Sequence, residues 1–422
     1  MDIPPAIRSK MSALDIDTKE GMLLKQSKST SASRPTPKKR KSFSSTSRSA
    51  ESPLPEGFVM VPPSGQAGSL RASMTISDKA PETWAMLMRT NNRLSLQPAS
   101  LIKLRILLRD ESASWIQEWV RFGGFRGWLE RIKELCEVEW REECRDDALL
   151  YELLRCGTAL LYSGAGRHAL ATSGIEPFRA LVDLLYSEKK PGDVHARQLI
   201  IEMVLGLFDV YPGAAPCPLP VTDFAWGQPL IFNGLYVQQL EEPPYASAAS
   251  THTSHDLVRS LVEGPADEKE VNQVNWLSSS HRARPFKRWV QELTGIISDF
   301  FWIFCHSTNT IPAYDGAQGA PGPQVPGGMS DGVEAIAMRC CAAHLRLLNA
   351  LVQTAPTPAS ARQLHADIFA SGLERALLTL RKCNKTYYPV IFFEMSRYLH
   401  QADQCDFKLP SKLTKARAIG GP

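Results

Sequence analysis

From Trp84 to Leu399 apolar residues return at steps of three and four, the spacing that sets side chains on one face of a helix. Leu101, Leu104 and Leu108 share a face, and Trp115 and Trp119 follow one turn apart. Phe125, Trp128, Leu129, Ile132 and Leu135 mark another helix, and Leu149, Leu150, Leu153, Leu154 and Leu161 the next. Asp146 and Asp147 stand near the start of that one, where a carboxylate meets unpaired backbone donors and the positive helix end. Phe178, Leu181, Val182 and Leu185 align in turn, then Leu199, Ile200, Met203, Val204, Leu207 and Phe208. Strand-length alternation is scarce. The pattern predicts an all-α fold, an α-solenoid in which each helix covers the apolar face of its neighbour. No strict repeat period is visible, so the solenoid rests on the succession of helices.

The pattern fails over residues 1–80, which are rich in Ser, Thr, Pro and basic side chains and too poor in clustered apolar ones to offset the entropy of ordering. A disordered tail is expected there. Its basic run Lys38, Lys39, Arg40 and Lys41 suits a solvated tail, a weak contact with anionic membrane or an import signal, with nearby serines open to phosphorylation. A first helical region is expected over 81–212, an irregular linker or insertion over 213–280, and a second helical region of the same array over 281–405. Within the second region a glycine- and proline-rich stretch at 311–331 reads as a flexible insertion, and 406–422 as a tail. Pro285 is placed in the first turn of a helix, and the apolar run GIISDFFWIFC around Phe300 reads as a buried helix.

Composition narrows the class. The chain has 422 residues, 43% of them hydrophobic, enough for substantial cores. A formal charge of +4 without basic residues concentrated on one folded segment does not point to nucleic acid. Nine cysteines without repeated short pair spacing argue against a disulfide framework and fit a reducing, cytoplasmic setting. The amino terminus lacks the apolar core of a secretory signal, and no later run reads as an uninterrupted membrane span.

No motif carries chemistry. Cys340, Cys341 and His344 lack the further ligands of a structural zinc site, and adjacent cysteines diverge around a helix. Cys305 with His306 supplies no oriented base, and His168, His195 and His365 sit in no metalloprotease arrangement. Glu142, Glu143, Asp146 and Asp147 read as helix ends and solvated faces, and no phosphate-binding glycine loop is present. A non-enzyme without metal or cofactor is the expectation.

Three stretches add a family likeness. LRDESASWIQEWVRFGGFRGWLERI, EVEWREECRDDALLYELLRC and LYSEKKPGDVHARQLIIEMVLGLFDVYP together resemble the GTPase-binding and amino-terminal homology region of fungal diaphanous-type formins. The likeness resumes over HRARPFKRWVQELTGIISDFFWIFCHSTNTI, PGGMSDGVEAIAMRCCAAHLRLLNALVQ and HADIFASGLERALLTLRKCNKTYYPVIFFEMSRYL. The resemblance implies an armadillo-like superhelix that binds a GTP-loaded Rho-class GTPase, Rho or Cdc42, and holds a formin carboxy-terminal autoregulatory helix. It thereby implies control of actin organisation at the cell cortex or at sites of polarised growth. No long proline run, actin-nucleating domain or extended heptad segment is present, so actin polymerisation itself is not implied. An adaptor solenoid that scaffolds other proteins without a GTPase is the alternative.

For the GTPase, aromatic anchors flanked by arginines select Trp84, Met88, Arg89, Asn92 and Arg93, extending to Arg105 and Arg109. For the autoregulatory helix, a groove between repeats selects Leu199, Met203 and Leu207.

Overall fold

In a computed structural model residues 79–140, 142–211, 253–264, 284–316 and 332–417 are described. All belong to one of the two units into which the chain divides, Pro62–Pro422. The expected tail, apart from Lys79 and Ala80, lies outside the described residues with its run Lys38, Lys39, Arg40 and Lys41. So does most of the expected linker, and so do residues 317–331.

The described residues are helical as the periodicity requires. In the first region the helices are α1 (Pro81–Thr90), α2 (Pro98–Asp110), α3 (Ala113–Arg121), α4 (Gly124–Glu137) and α5 (Glu143–Tyr162). They continue as α6 (Gly164–Thr172), α7 (Glu176–Leu185), α8 (Val194–Leu205) and the single turn α9 (Leu207–Val210). Within the expected linker stands α10 (Ser254–Val262), started by a reciprocal capping box between Thr253 and Asp256. Then come α11 (Lys287–Asp299), α12 (Val333–Gln353), α13 (Pro358–Ala370), α14 (Leu373–Leu380), α15 (Pro389–Gln404) and α16 (Ser411–Ala416).

Stacking is solenoidal. Helices α2, α5, α8, α12 and α15 pack each on the next as a continuous row, while α1 lies on α3 and α4, α4 meets α7, and α11 meets α14. One apolar core runs from Trp84 to Leu413, and each of its fully buried leucines contributes about 2 kcal/mol. Helix α12 is long and apolar enough to cross a membrane by itself, but 83% of its most apolar window is buried by neighbouring helices.

The GGFRG turn shows how closely the layers approach. Gly123 caps α4 in the left-handed region at φ 84°, where a side chain is strained. One turn on, a Cβ at Gly127 would stand 2.8 Å from the Met88 carbonyl carbon and oxygen, so the α1 and α4 backbones touch there.

The two regions are joined by charge as well as by apolar packing. Glu292 of α11, 3% exposed, accepts from the Arg197 guanidinium of α8, with Nε at 2.6 Å, and from Lys190 Nζ at 2.8 Å. Beside it Trp289 Nε1 donates to His344 Nδ1 at 2.7 Å, fixing the α11–α12 contact. Burial holds His344 at about 4, well below an ordinary histidine. It does the same to His365, at about 4, which sits among Tyr398, Phe369 and Phe407 with neither ring nitrogen hydrogen-bonded.

Several expectations are corrected. Pro285 precedes α11 and is not in its first turn, since Phe286 is the cap. Asp146 and Asp147 are buried and not on a solvated face, although Asp146 does accept from the Glu142 N–H at the start of α5. The run around Phe300 is not a buried helix: α11 ends at Asp299, and a 3-10 turn follows at Phe301–Ile303 with Phe301 and Trp302 exposed. The stretch from 311 is anchored at its start, because Ile311 is fully buried and pairs with Arg417. Residues 406–417 are no loose tail, for α16 buries Leu413 and Ala416 and Arg417 grips Asp403 at 2.6 Å.

Three stability measurements check this account. Gly127→Ala would ordinarily favour a helix, yet here it should destabilise by about 1–3 kcal/mol in urea unfolding, because the backbone of Met88 cannot yield. Glu292→Ala strands a buried guanidinium and should cost about 3–5 kcal/mol, much of which Arg197→Met combined with Glu292→Leu should restore. The depressed histidines make the unfolded chain bind more protons between about pH 6.5 and pH 4, so melting temperature should fall as pH falls through that window. Asp209, raised to about 6 by burial, works in the opposite direction below pH 6. His365→Phe should flatten the fall, and an unchanged slope would contradict the assignment.

Candidate functional site

Helix α1 presents two faces. Trp84, Ala85 and Met88 point into the core, whereas Met86, Arg89 and Thr90, three and four residues apart, point outward. The anchors selected from sequence therefore fall on the wrong face. Trp84 is 6% exposed and Met88 not at all, so neither offers a partner a side chain. Met86, at 65%, does.

Arg89 holds its place on that outward edge. Its aliphatic stem lies over Gly123, and its Nη1 donates to the Phe122 carbonyl at 3.4 Å, leaving the guanidinium at the surface. Arg121, the chain neighbour of Phe122, covers the Phe122 ring at 4.9 Å. The result is a basic ridge with a thioether at its edge.

Beyond α1 the loop Asn91–Leu96 is tied down from three sides. Asn92 Oδ1 accepts from the backbone N–H of Leu94 and Ser95, each at 3.0 Å, so its side chain shapes the turn. The Arg93 backbone donates to Glu134 of α4 at 3.1 Å, and its guanidinium reaches both oxygens of fully buried Asp146 at 3.1 and 3.0 Å. Arg131 binds the Asn91 carbonyl and pairs with Glu134 at 2.7 Å. Asp146 also accepts from the Glu142 N–H at 3.0 Å, bringing the α4–α5 loop against the α1–α2 loop. Asn92 and Arg93 are thus structural fasteners. What they carry outward is Leu94, 56% exposed, and in the neighbouring loop Trp140, 85% exposed.

Trp140 escaped sequence reasoning because it lies between helices, where the three-four rhythm is silent. Its signal is local: a tryptophan among Glu137, Glu139 and Glu142 is out of place in a core.

Arg105 and Arg109 lie elsewhere, on the open side of α2. The exposed and partly exposed residues of three successive row helices include Ile102, Arg105 and Arg109 of α2, Tyr151, Arg155 and Tyr162 of α5, and His195, Leu199 and Glu202 of α8. Arg105 pairs with Glu152 at 3.3 Å, Arg109 with Asp110 at 2.8 Å, and the Tyr151 ring meets His195 edge-on. Burial raises the Glu152 carboxyl and Arg105 and Arg155 offset part of it; burial also raises Asp193, but the hydrogen bonds from His195 outweigh it and hold the carboxyl low. Of the expected groove residues only Leu199 belongs to this face. Met203 and Leu207 are 1% and 0% exposed; the Met203 thioether packs against Gly157 in the α5–α8 interface, so both are core.

Among the described residues no three His, Cys, Asp or Glu side chains gather as a metal would require. Cys340 and Cys341 are fully buried, with thiol pKa values raised by desolvation, while Cys305 and His306 are exposed. What the geometry offers is contact surface: Met86 and Arg89 exposed on α1, Leu94 and Trp140 exposed on the two fastened loops, and separately the partly exposed side of α2, α5 and α8.

No family model matches the chain. It is similar to the GTPase-binding protein rid1 of Schizosaccharomyces pombe, 26% identical over 318 residues that span 75% of this chain and 68% of the relative. A crystal structure of E. histolytica Formin1 bound to EhRho1-GTPgammaS aligns over 81% of this chain and 84% of that one at 12% identity, with a loose superposition of TM-score 0.37. The described residues form an all-α helical stack, and the chain is similar in sequence to a GTPase-binding protein.

Proposed function

We propose that this chain is a GTPase-binding regulatory module that engages the GTP-loaded form of a Rho-class GTPase through the outward edge of α1 and the two loops beyond it. The observation that carries the reading is the extended similarity to the GTPase-binding protein rid1, over three quarters of this chain. The physical surface supports it. Effector-binding faces of small GTPases present acidic and apolar groups together, and Arg89 beside Met86, with Leu94 and Trp140 on fastened loops, offers the complement. The loops are held by the Arg93–Asp146 and Arg131–Glu134 pairs before any partner arrives, which lowers the ordering cost of binding.

The finer reading is that GTPase binding competes with an autoregulatory helix and so controls actin organisation at the cell cortex. The mixed face on α2, α5 and α8 supports a helix contact through Leu199, Tyr151 and Tyr162, in place of the core residues Met203 and Leu207. Coupling then needs only that the two partners favour different arrangements of the same stack.

Titration calorimetry of the full chain against Rho and Cdc42 representatives, each loaded with GDP or a nonhydrolysable GTP analogue, tests the reading. Binding should be tighter to the GTP form, whose switch segments are ordered by the third phosphate. Arg89→Glu and Trp140→Ala should each weaken it by about tenfold or more with an unchanged melting temperature. Arg93→Glu should lower the melting temperature, because it opens the clasp on Asp146. Absence of nucleotide-dependent binding by folded protein would transfer the case to the adaptor solenoid.

A further inference from the structure

The 3-10 turn after α11 is the most apolar exposed point of the described second region. Phe301 and Trp302, adjacent in the chain, are 72% and 56% exposed. They are not loosely held: the rings meet edge-on at 5.7 Å, and Trp302 leans on Phe300, itself 8% exposed and part of the core.

The backbone beneath them is hydrogen-bonded. Ile303 and Phe304 donate to the Phe300 and Phe301 carbonyls, His306 donates to the Lys382 carbonyl at 2.9 Å, and Asn309 Nδ2 donates to the Cys383 carbonyl at 2.7 Å. Arg381 Nη1 donates to the carbonyls of Ser307 and Asn309 at 2.9 and 2.5 Å. The base of the protrusion is thus held by hydrogen bonds to the α14–α15 connector, so the two rings are presented from a fixed support.

Charge selects the medium. Arg381, Lys382 and Lys385 occupy the α14–α15 connector that anchors this loop, and among the described residues no carboxylate forms an ion pair with any of them. Lys385 Nζ rests over the Phe392 ring at 5.3 Å; Asp299 ends α11 just before the aromatic pair, and the field of Glu334 reaches Tyr388. Trp140, the other exposed tryptophan, stands among glutamates and offers nothing to an anionic surface.

We propose that Phe301 and Trp302 form a membrane-interface anchor, inserting at headgroup level into an anionic lipid surface while Lys382 and Lys385 hold the phosphates around them. Aromatic side chains settle at that depth, and basic side chains beside them add an attraction that falls within a Debye length. The anchor lies on the 3-10 turn after α11 and on the α14–α15 connector, not on the α1 edge proposed for the GTPase.

Vesicle binding of the full chain tests it, with phosphatidylcholine alone or mixed with phosphatidylserine, in lipids with or without bromine on the acyl chains. Expected are binding to the anionic vesicles that weakens with salt, and quenching of tryptophan fluorescence by the brominated lipid. Trp302→Phe should abolish the quenching and retain most of the binding. Phe301→Ser with Trp302→Ser should reduce binding about tenfold or more, and Lys382→Glu should reduce it without touching the aromatic pair. Neutralising Lys38, Lys39, Arg40 and Lys41 should leave the quenching in place, separating this anchor from the amino-terminal basic run. The proposal fails if wild-type protein shows no quenching, or if the double serine variant, folded by circular dichroism, binds vesicles as wild type does. It fails equally if the pair instead mediates pairing of two copies, seen as a concentration-dependent dimer in sedimentation that the serine variant abolishes without any vesicle effect.

Discussion

The contact between α8 and the pair α11 and α12 is the constraint on which the described array depends. Its centre is a carboxylate and a guanidinium removed from water, an arrangement favourable only when both partners are present and held in register. Around them the apolar core continues from α8 to α12, so it does not end where the first helical region ends. A purely apolar joint would tolerate sliding by a turn. Glu292, bonded at once by Arg197 and Lys190 from two different segments, permits one register.

A second clasp of the same kind sets the other end of the array. Asp146 is fully buried, and Arg93 and the Glu142 amide converge on it from two loops. These bonds turn residues that look like interface arginines into fixtures, and the loops they fix carry the exposed apolar groups. Rigid support beneath Leu94 and Trp140, and again beneath Phe301 and Trp302, is the common pattern: side chains spend their polarity inward on backbone carbonyls and carboxylates so that a few apolar groups stand outward without bending the chain.

The helical class and most helices were legible in the sequence, because a three-four rhythm sustained through leucine-rich segments has few other solutions. Which side of a helix meets a partner was not. Trp84 and Met88 share a face with Ala85, and periodicity marks that face as apolar without saying what covers it; in the fold α3 and α4 do. The same limit explains Met203 and Leu207, and in reverse the run after Ile297, whose aromatic density suggested burial although the helix stops at Asp299 and Phe301 and Trp302 stand exposed. Short elements were missed for another reason. Helix α16 has six residues and buries only Leu413 and Ala416, too little for any period to register.

The α8–α12 contact also bears on how freely this chain can change length. Tyr211 closes the first helical region, and α10 and α11 intervene before α12 comes to rest on α8. In an array of nearest neighbours an insertion between units normally pushes them apart, but here the units are clamped to one another directly, and the connecting chain only has to return. The entropy of closing such a return grows with the logarithm of its length, so doubling it costs only about 0.6 kcal/mol. The register of the stack is therefore set by the α8–α12 contact itself and not by the length of chain that separates the two helices.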